Sequence, residues 1–241
     1  MHNFMLKDLS IKIFSDGANL DEINKLAKNE IISGITTNPT LMRKAGVTNY
    51  LGFCNLASRY AGDKPISLEV FSDEIEEMYR QANILAAINP NVFVKIPITN
   101  SKGIYTLDLV EKLTKEKIKV NVTGILSLNQ VKLSIESIAS ELTTYLSIFA
   151  GRIADTGRDP MPIIQNAIKL AKDKGKNIEF IWASTREVFN VYQAASINCH
   201  IITCTPDIIS KLKMRNKDLE ELSLETVQMF YHDALESGFK L

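Results

Sequence analysis

Residues 91–100 read NVFVKIPITN. The β-branched and aromatic run from Val92 to Pro97 has the composition of a buried strand, yet it carries an ammonium group at Lys95. Side chains alternate along a strand, so Val92, Val94 and Ile96 share one face while Phe93 and Lys95 share the other. Leaving such a charge buried and unpaired costs on the order of several kcal/mol, so the fold has to pair it or shift it toward its neutral form.

Working outward, seven further runs have the same strand character: IKIFSD (11–16), GITTN (34–38), ISLEV (66–70), IKVNVT (118–123), TYLSIFA (144–150), IEFIWAS (178–184) and CHIITCT (199–205). Between them apolar residues recur at helical spacing, as in Leu20, Ile23, Leu26 and Ala27, or Ile75, Met78, Tyr79 and Ala82. Ser127 with Gln130 fits a capping box, and Thr205 followed by Pro206 fits a cap with proline at the first helical position. Strand then helix, eight times over without a linker, predicts an α/β protein built as one (β/α)8 TIM barrel over residues 1–241. A doubly wound open sheet is the structural rival. It calls for fewer strands and a glycine-rich first turn, whereas the turn here is SDGANLDE, without G-x-G-x-x-G. The tail predicts one more helix outside the barrel, residues 223–237, from a Ser223 cap to a Gly238 stop, with Val227, Phe230, Tyr231 and Ala234 on one side. It is surplus to the barrel and suited to packing on another subunit, so a homo-oligomer is expected.

Composition narrows the partners. Twenty-eight basic against 28 acidic residues leave no net field to attract nucleic acid or an anionic membrane, so any bound anion has to be caught by local groups. Three cysteines and three scattered histidines lack the spacing of a disulfide framework or a metal site. The opening MHNFMLKDLS does not read as a secretory leader, and no apolar run approaches the ~20 residues of a membrane span, which predicts a cytoplasmic setting. The NVT triplet at Asn121 falls in a strand rather than a surface loop.

The parity test extends to the other strands. Asp16 ends the first, Thr36 and Asn38 the second; Ser67 and Glu69 lie in the third; Asn121 and Thr123 end the fifth; Tyr145, Ser147 and Phe149 line the sixth; Ser184 ends the seventh. The opposite parity is mostly apolar, as packing against outer helices requires. The polar set therefore points into the barrel near the C-terminal ends of its strands, where barrel enzymes place their chemistry. A neutral Lys95 is a nucleophile for a carbonyl, with Asp16 or Glu69 moving protons. The plainer alternative is a structural lysine paired with Asp16 or Glu69. Arg152 and Arg186 follow the sixth and seventh strands, and two guanidiniums beside the Ser184 hydroxyl suit a phosphate. Either arginine could equally pair with a rim acid such as Asp155 or Glu187.

Five ordered stretches, GITTNPTLMRKAG, VFVKIPIT, VNVTGILSLNQV, LSIFAGRIADTGRDP and WASTREVFNVYQA, closely resemble the motifs of the transaldolase family of class I aldolases, in its shorter bacterial-type members. The resemblance runs from about Ile11 to the end of the chain. It implies a transferase of carbohydrate metabolism in the pentose phosphate pathway, working on sugar phosphates without metal or organic cofactor. By the resemblance, Lys95 is the Schiff-base lysine, Asp16 the acid/base at the C4 hydroxyl of the donor, Glu69 the residue that orients a water and Thr123 its hydroxyl partner. Thr36, Asn38, Asn121 and Ser147 match positions that hold the three-carbon fragment, and Arg152, Ser184 and Arg186 match a phosphate clamp. SDGAN departs from the Asp-Thr-Ala of many members, which keeps the aspartate and alters its packing. A related enzyme, fructose 6-phosphate aldolase, releases dihydroxyacetone instead of transferring it; it typically has glutamine in place of Glu69 and tyrosine in place of Phe149. Phe149 therefore favours transfer, with simple cleavage as the alternative. A barrel that binds a sugar phosphate without turning it over is the reading from another class.

Overall fold

A computed structural model describes residues 10–240; the reading of the first residues as lacking a leader falls largely outside that range. Residues up to Ile209 make one compact unit and residues from Ser210 a second.

In the first unit eight parallel strands close on themselves in chain order: β1 (Lys12–Asp16), β2 (Ile32–Thr36), β3 (Ile66–Glu69), β4 (Val92–Pro97), β5 (Val120–Ile125), β6 (Thr144–Ile148), β7 (Ile178–Trp182) and β8 (Ile201–Cys204), with β8 pairing back to β1. The helices between them are α1 (Leu20–Ala27), α2 (Pro39–Lys44), α3 (Tyr50–Ala61), α4 (Ile75–Ala86), α5 (Leu107–Lys115), α6 (Leu128–Ser137), α7 (Ala150–Ala154), α8 (Met161–Asp173) and α9 (Phe189–Ser196), and α10 (Pro206–Lys211) follows β8. This is the (β/α)8 barrel that the strand–helix alternation predicts. Each strand presents apolar residues to helices on one face and to the barrel interior on the other, which is why the strands read as almost continuous apolar runs.

The interior is filled by Phe14, Phe93, Tyr145, Ile181, Ala183 and Ile201. The rings of Phe93 and Tyr145 stack at 3.9 Å between centroids, and Phe14 meets Tyr145 edge-on at 5.9 Å. Gly34 makes room for this layer: a Cβ there would lie 2.5 Å from Cζ of Phe14. Register then places the polar residues in the layers above. Glu69 sits beside Lys95, Lys95 beside Asn121, and Asp16 beside Thr36.

Local signals fix several boundaries. The Asn19 side chain accepts from the N–H groups of Asp21 and Glu22 to start α1, and Ser127 with Gln130 forms the expected capping box of α6. Pro206 opens α10, with the Ile209 N–H bonded to the Thr205 carbonyl.

Other strand ends differ from expectation. β2 spans 32–36 rather than 34–38, because Asn38 is taken as the cap of α2, where its side chain accepts the Leu41 N–H. β5 starts later than 118, since Lys117 adopts a left-handed φ of 64° and the Ile118 N–H still closes the end of α5 on Leu113. β6 stops at Ile148 because Phe149 caps α7, and β7 stops at Trp182, two residues before Ser184 turns into φ 63°.

The second unit contains a short 3-10 turn at Leu212–Met214 and helix α11 (Leu219–Glu236). The helix begins four residues before the expected Ser223. Asp218 caps it by accepting from the N–H groups of Glu220 and Glu221, and Ser223 lies one turn inside. The Lys217 ammonium pairs with Glu225 on the same segment.

Candidate active site

Lys95 projects from the C-terminal half of β4 into a cavity of about 410 Å3 at the C-terminal ends of the strands. Asp16, Thr36, Asn38, Glu69, Lys95, Ser147, Phe149, Arg152, Ser184 and Arg186 all line it. Ten residues singled out along 171 positions of chain thus meet at one mouth. Asn121 and Thr123 do not reach the wall.

The ammonium of Lys95 is shut away from solvent and satisfied by two groups. It donates to the backbone carbonyl of Thr37 at 2.9 Å and lies 3.2 Å from Oε2 of Glu69. Thr37 is itself held by its own hydroxyl, which donates to the Ser67 carbonyl at 3.0 Å. The Glu69 backbone carbonyl in turn accepts from the Tyr50 hydroxyl, whose deprotonation burial disfavours. The pairing between Lys95 and Glu69 was one of the two readings open from spacing alone; Glu69, and not Asp16, is the ion-pair partner.

Asp16 stands at the end of β1. Its Oδ1 accepts from the Thr36 hydroxyl at 2.8 Å and its Oδ2 from the Asn38 amide at 3.2 Å. Burial pushes its carboxyl above the ordinary aspartate range, opposed by the Lys95 charge and by these two hydrogen bonds. Asn38 has two tasks: its amide nitrogen serves Asp16 while its oxygen caps α2, so the helix start locks the orientation of the side chain.

Below the cavity floor Asn121 is wholly buried. Its amide donates to the Ser67 hydroxyl at 3.0 Å and its oxygen accepts from Ser147 at 2.8 Å, so the NVT triplet is closed to glycosylation. The Thr123 hydroxyl is buried without a protein partner, an orphaned group of the kind that a bound water commonly satisfies.

The basic rim is built on a close backbone approach. A Cβ on Gly151 would fall 1.8 Å from the Ser184 carbonyl oxygen, 2.8 Å from Nε of Arg186 and 2.9 Å from the Ser184 hydroxyl. Only glycine lets α7 sit this close to the left-handed turn at Ser184. Arg186 donates to Oδ2 of Asp155 at 2.6 Å, a half-exposed pair, so the plainer pairing considered for this arginine is present. Phe149 packs against the interior aromatic cluster and turns its ring to the cavity.

Sequence reasoning missed three participants. Thr203 lines the cavity and its hydroxyl lies 2.5 Å from that of Thr36; the parity of β8, with Ile201 inside, would have found it. The Thr37 carbonyl and the Tyr50 hydroxyl carry no comparable signal, because a backbone acceptor and a contact from a neighbouring helix leave no period in the sequence.

A closed parallel barrel with a lysine, two carboxylates and two arginines at its C-terminal mouth defines a (β/α)8 protein whose polar groups are gathered where such barrels hold their ligands. The family model described as Transaldolase/Fructose-6-phosphate aldolase matches residues 13–241, and the chain belongs to that family. A relative from Thermoanaerobacter sp., named probable transaldolase, is 36% identical over 231 residues, covering 96% of this chain and 100% of the relative. One from Dehalococcoides mccartyi with the same name is 34% identical over 202 residues, 84% of this chain and 90% of the relative. Among solved structures, a protein from Burkholderia cenocepacia titled as a lyase/mutase superposes with a TM-score of 0.58 at 10% identity, over 95% of this chain and 84% of its own, which speaks to the fold alone.

Proposed function

We propose that the protein is a transaldolase: it moves a dihydroxyacetone unit from a ketose phosphate, such as fructose 6-phosphate or sedoheptulose 7-phosphate, to an aldose phosphate through a Schiff base on Lys95. The observation that carries this reading is the placement of the Lys95 amine in one cavity with Asp16, Glu69 and two arginines. Curated relatives named probable transaldolase support it.

The chemistry follows from that placement. Lys95 gives up a proton toward Glu69 and its nitrogen adds to the C2 ketone, forming a C–N bond. Loss of the C2 oxygen as water leaves an iminium cation. Asp16 accepts the C4 hydroxyl proton, the C3–C4 bond breaks, and its electron pair flows into the iminium to give an enamine while an aldose phosphate departs. The iminium is the electron sink, so the scheme calls for neither metal nor organic cofactor. Glu69, with the orphaned Thr123 hydroxyl nearby in the strand order, suits the water released and taken up. Thr36, Asn38 and Ser147 are the candidate holders of the fragment, with Asn121 fixing the Ser147 hydroxyl from beneath, and Arg152, Ser184 and Arg186 the phosphate clamp. A second aldose phosphate then enters the same clamp and accepts the fragment from the enamine.

Phe149 favours transfer over simple cleavage. Its ring offers no hydroxyl from which the enamine could draw a proton, so the fragment persists until an aldehyde arrives. Borohydride reduction with ketose phosphate should leave a three-carbon adduct on Lys95, and turnover of fructose 6-phosphate should require an acceptor such as erythrose 4-phosphate. An adduct on a different lysine, or none, would overturn the scheme; turnover without acceptor would indicate cleavage; binding that survives Lys95→Met with no adduct in the wild type would indicate the binding-only barrel.

The protein acts, in this proposal, as a cytoplasmic homo-oligomer. Its three cysteines are free and buried, and no described helix is long and apolar enough to cross a membrane. A lone helix such as α11 cannot cover its own apolar side, Val227, Phe230, Tyr231 and Ala234, and a second subunit would do so.

A further inference from the structure

Thr203 stands on β8 with its side chain inside the barrel, one layer above Ile201. Its hydroxyl lies 2.5 Å from Oγ1 of Thr36, and Thr36 donates to Oδ1 of Asp16 at 2.8 Å. A hydroxyl has a single hydrogen, and a carboxylate can only accept. The Thr36 hydrogen is therefore committed to Asp16, and the contact between the two threonines has to be filled by the hydrogen of Thr203.

We infer that Thr203 is a positioning residue that acts on Asp16 through Thr36, in a one-way chain from the Thr203 hydroxyl to the Thr36 hydroxyl to the carboxylate. The inference rests on the reading of Asp16 as the acid/base of the proposed reaction. Each hydroxyl in such a chain polarises the next, and a bond that ends on a charge is roughly twice as strong as one between neutral groups. The chain thus favours the anionic form of Asp16 and holds its Oδ1 toward β2, while Asn38 holds Oδ2. It works with the Lys95 charge against the burial that raises the carboxyl. The other titratable groups around Asp16 are Glu69 from β3, Arg152 and Arg186 at the rim, and the buried Cys204 thiol of β8, which burial pushes up to about 12 and so keeps neutral.

A threonine that merely filled strand space would be replaced by its isostere valine without consequence for Asp16. The test is the titration of the Asp16 carboxyl carbon, read by NMR in protein labelled with [4-13C]aspartate and assigned by its disappearance in Asp16→Asn. Thr203→Val should move the midpoint upward by roughly half a pH unit or more, consistent with loss of one charge-linked hydrogen bond in a chain, and Thr203→Ser should restore it. The acid limb of the kcat/KM profile should move with it. An unchanged midpoint in Thr203→Val, or an equal shift in Thr203→Ser, would overturn the inference whatever the activity. Should the valine variant not fold, Thr203→Ala carries the same expectation. A shifted midpoint beside an unmoved pH–rate profile would support the chain and remove Asp16 from the reaction, so the two readings fail separately.

Discussion

The ammonium nitrogen of Lys95 lies 3.2 Å from Oε2 of Glu69, with the two side chains only 7% and 14% exposed. A buried pair of this kind is more costly to halve than to remove, because one partner left alone is an uncompensated charge. Glu69→Leu should therefore destabilise the protein by about 3–5 kcal/mol in urea unfolding, and Lys95→Met by a similar order for the opposite reason. The double variant should lose clearly less than the sum of the two. Additive losses would mean that the pair is not coupled in solution.

The acid/base assignment has its own signature. Replacing Asp16 by asparagine should lower kcat by about 10²–10⁴-fold, the usual contribution of a positioned proton-transfer group, with a smaller change in KM. Stopped-flow or coupled assay of the donor-plus-acceptor reaction reads it directly.

Burial of Asp16 also has a consequence for stability. Its carboxyl is raised above the ordinary value of 3.8, so the folded chain binds this proton more tightly than the unfolded chain. Stability from this group is present at low pH and is lost as pH rises from the unfolded value through the folded one. The unfolding free energy of Asp16→Asn minus that of wild type should therefore increase with pH across that window. Unfolding curves collected from pH 3 upward that give a flat or falling difference would contradict the desolvated carboxyl.

At the rim, Gly151→Ala drives a methyl group into the Ser184 carbonyl and the Arg186 side chain. The loop has to move, at a cost of about 1–3 kcal/mol in stability. The KM for a phosphorylated donor should rise at least about tenfold, the equivalent of one lost charge-assisted contact of roughly 1.4 kcal/mol, while the residual activity on unphosphorylated dihydroxyacetone donors changes little. Equal losses on both substrates would place the damage elsewhere.

The half-exposed pair of Arg186 with Asp155 behaves differently. Asp155→Asn should change stability by less than about 1 kcal/mol, as expected for solvent-screened pairs. If the arginine leaves Asp155 to meet the substrate phosphate, the variant should bind inorganic phosphate more tightly, measured by calorimetry at low salt. Weaker binding would make Asp155 a support for the arginine rather than its competitor.

Much of this architecture could be read along the chain. Alternation put Phe93 and Lys95 on one face, and the same parity in β1, β3 and β6 correctly directed Asp16, Glu69 and Ser147 inward. Boundaries slipped where the chain leaves β geometry. Alternation alone places Phe149 and Ser184 on strands, and they are the cap of α7 and a left-handed turn. Both still reach the cavity, because the bends swing them over the barrel mouth. Asn121 and Thr123 have the inward parity and yet stay out of the cavity wall: Asn121 spends its amide on Ser67 and Ser147, and the Thr123 hydroxyl, in register with Pro97, is buried.

The sequence by itself determined which side chains could share a face, because the two-residue period of a strand is a local steric property carried by each residue and its neighbours. Closure of the sheet decided which of them touch. Thr203 and Thr36 are 167 residues apart, the Thr37 carbonyl reaches Lys95 across 58, and Arg186 finds Asp155 across 31. Such contacts depend on register and on where each strand ends, quantities set by the packing of the whole barrel and by no single stretch of chain.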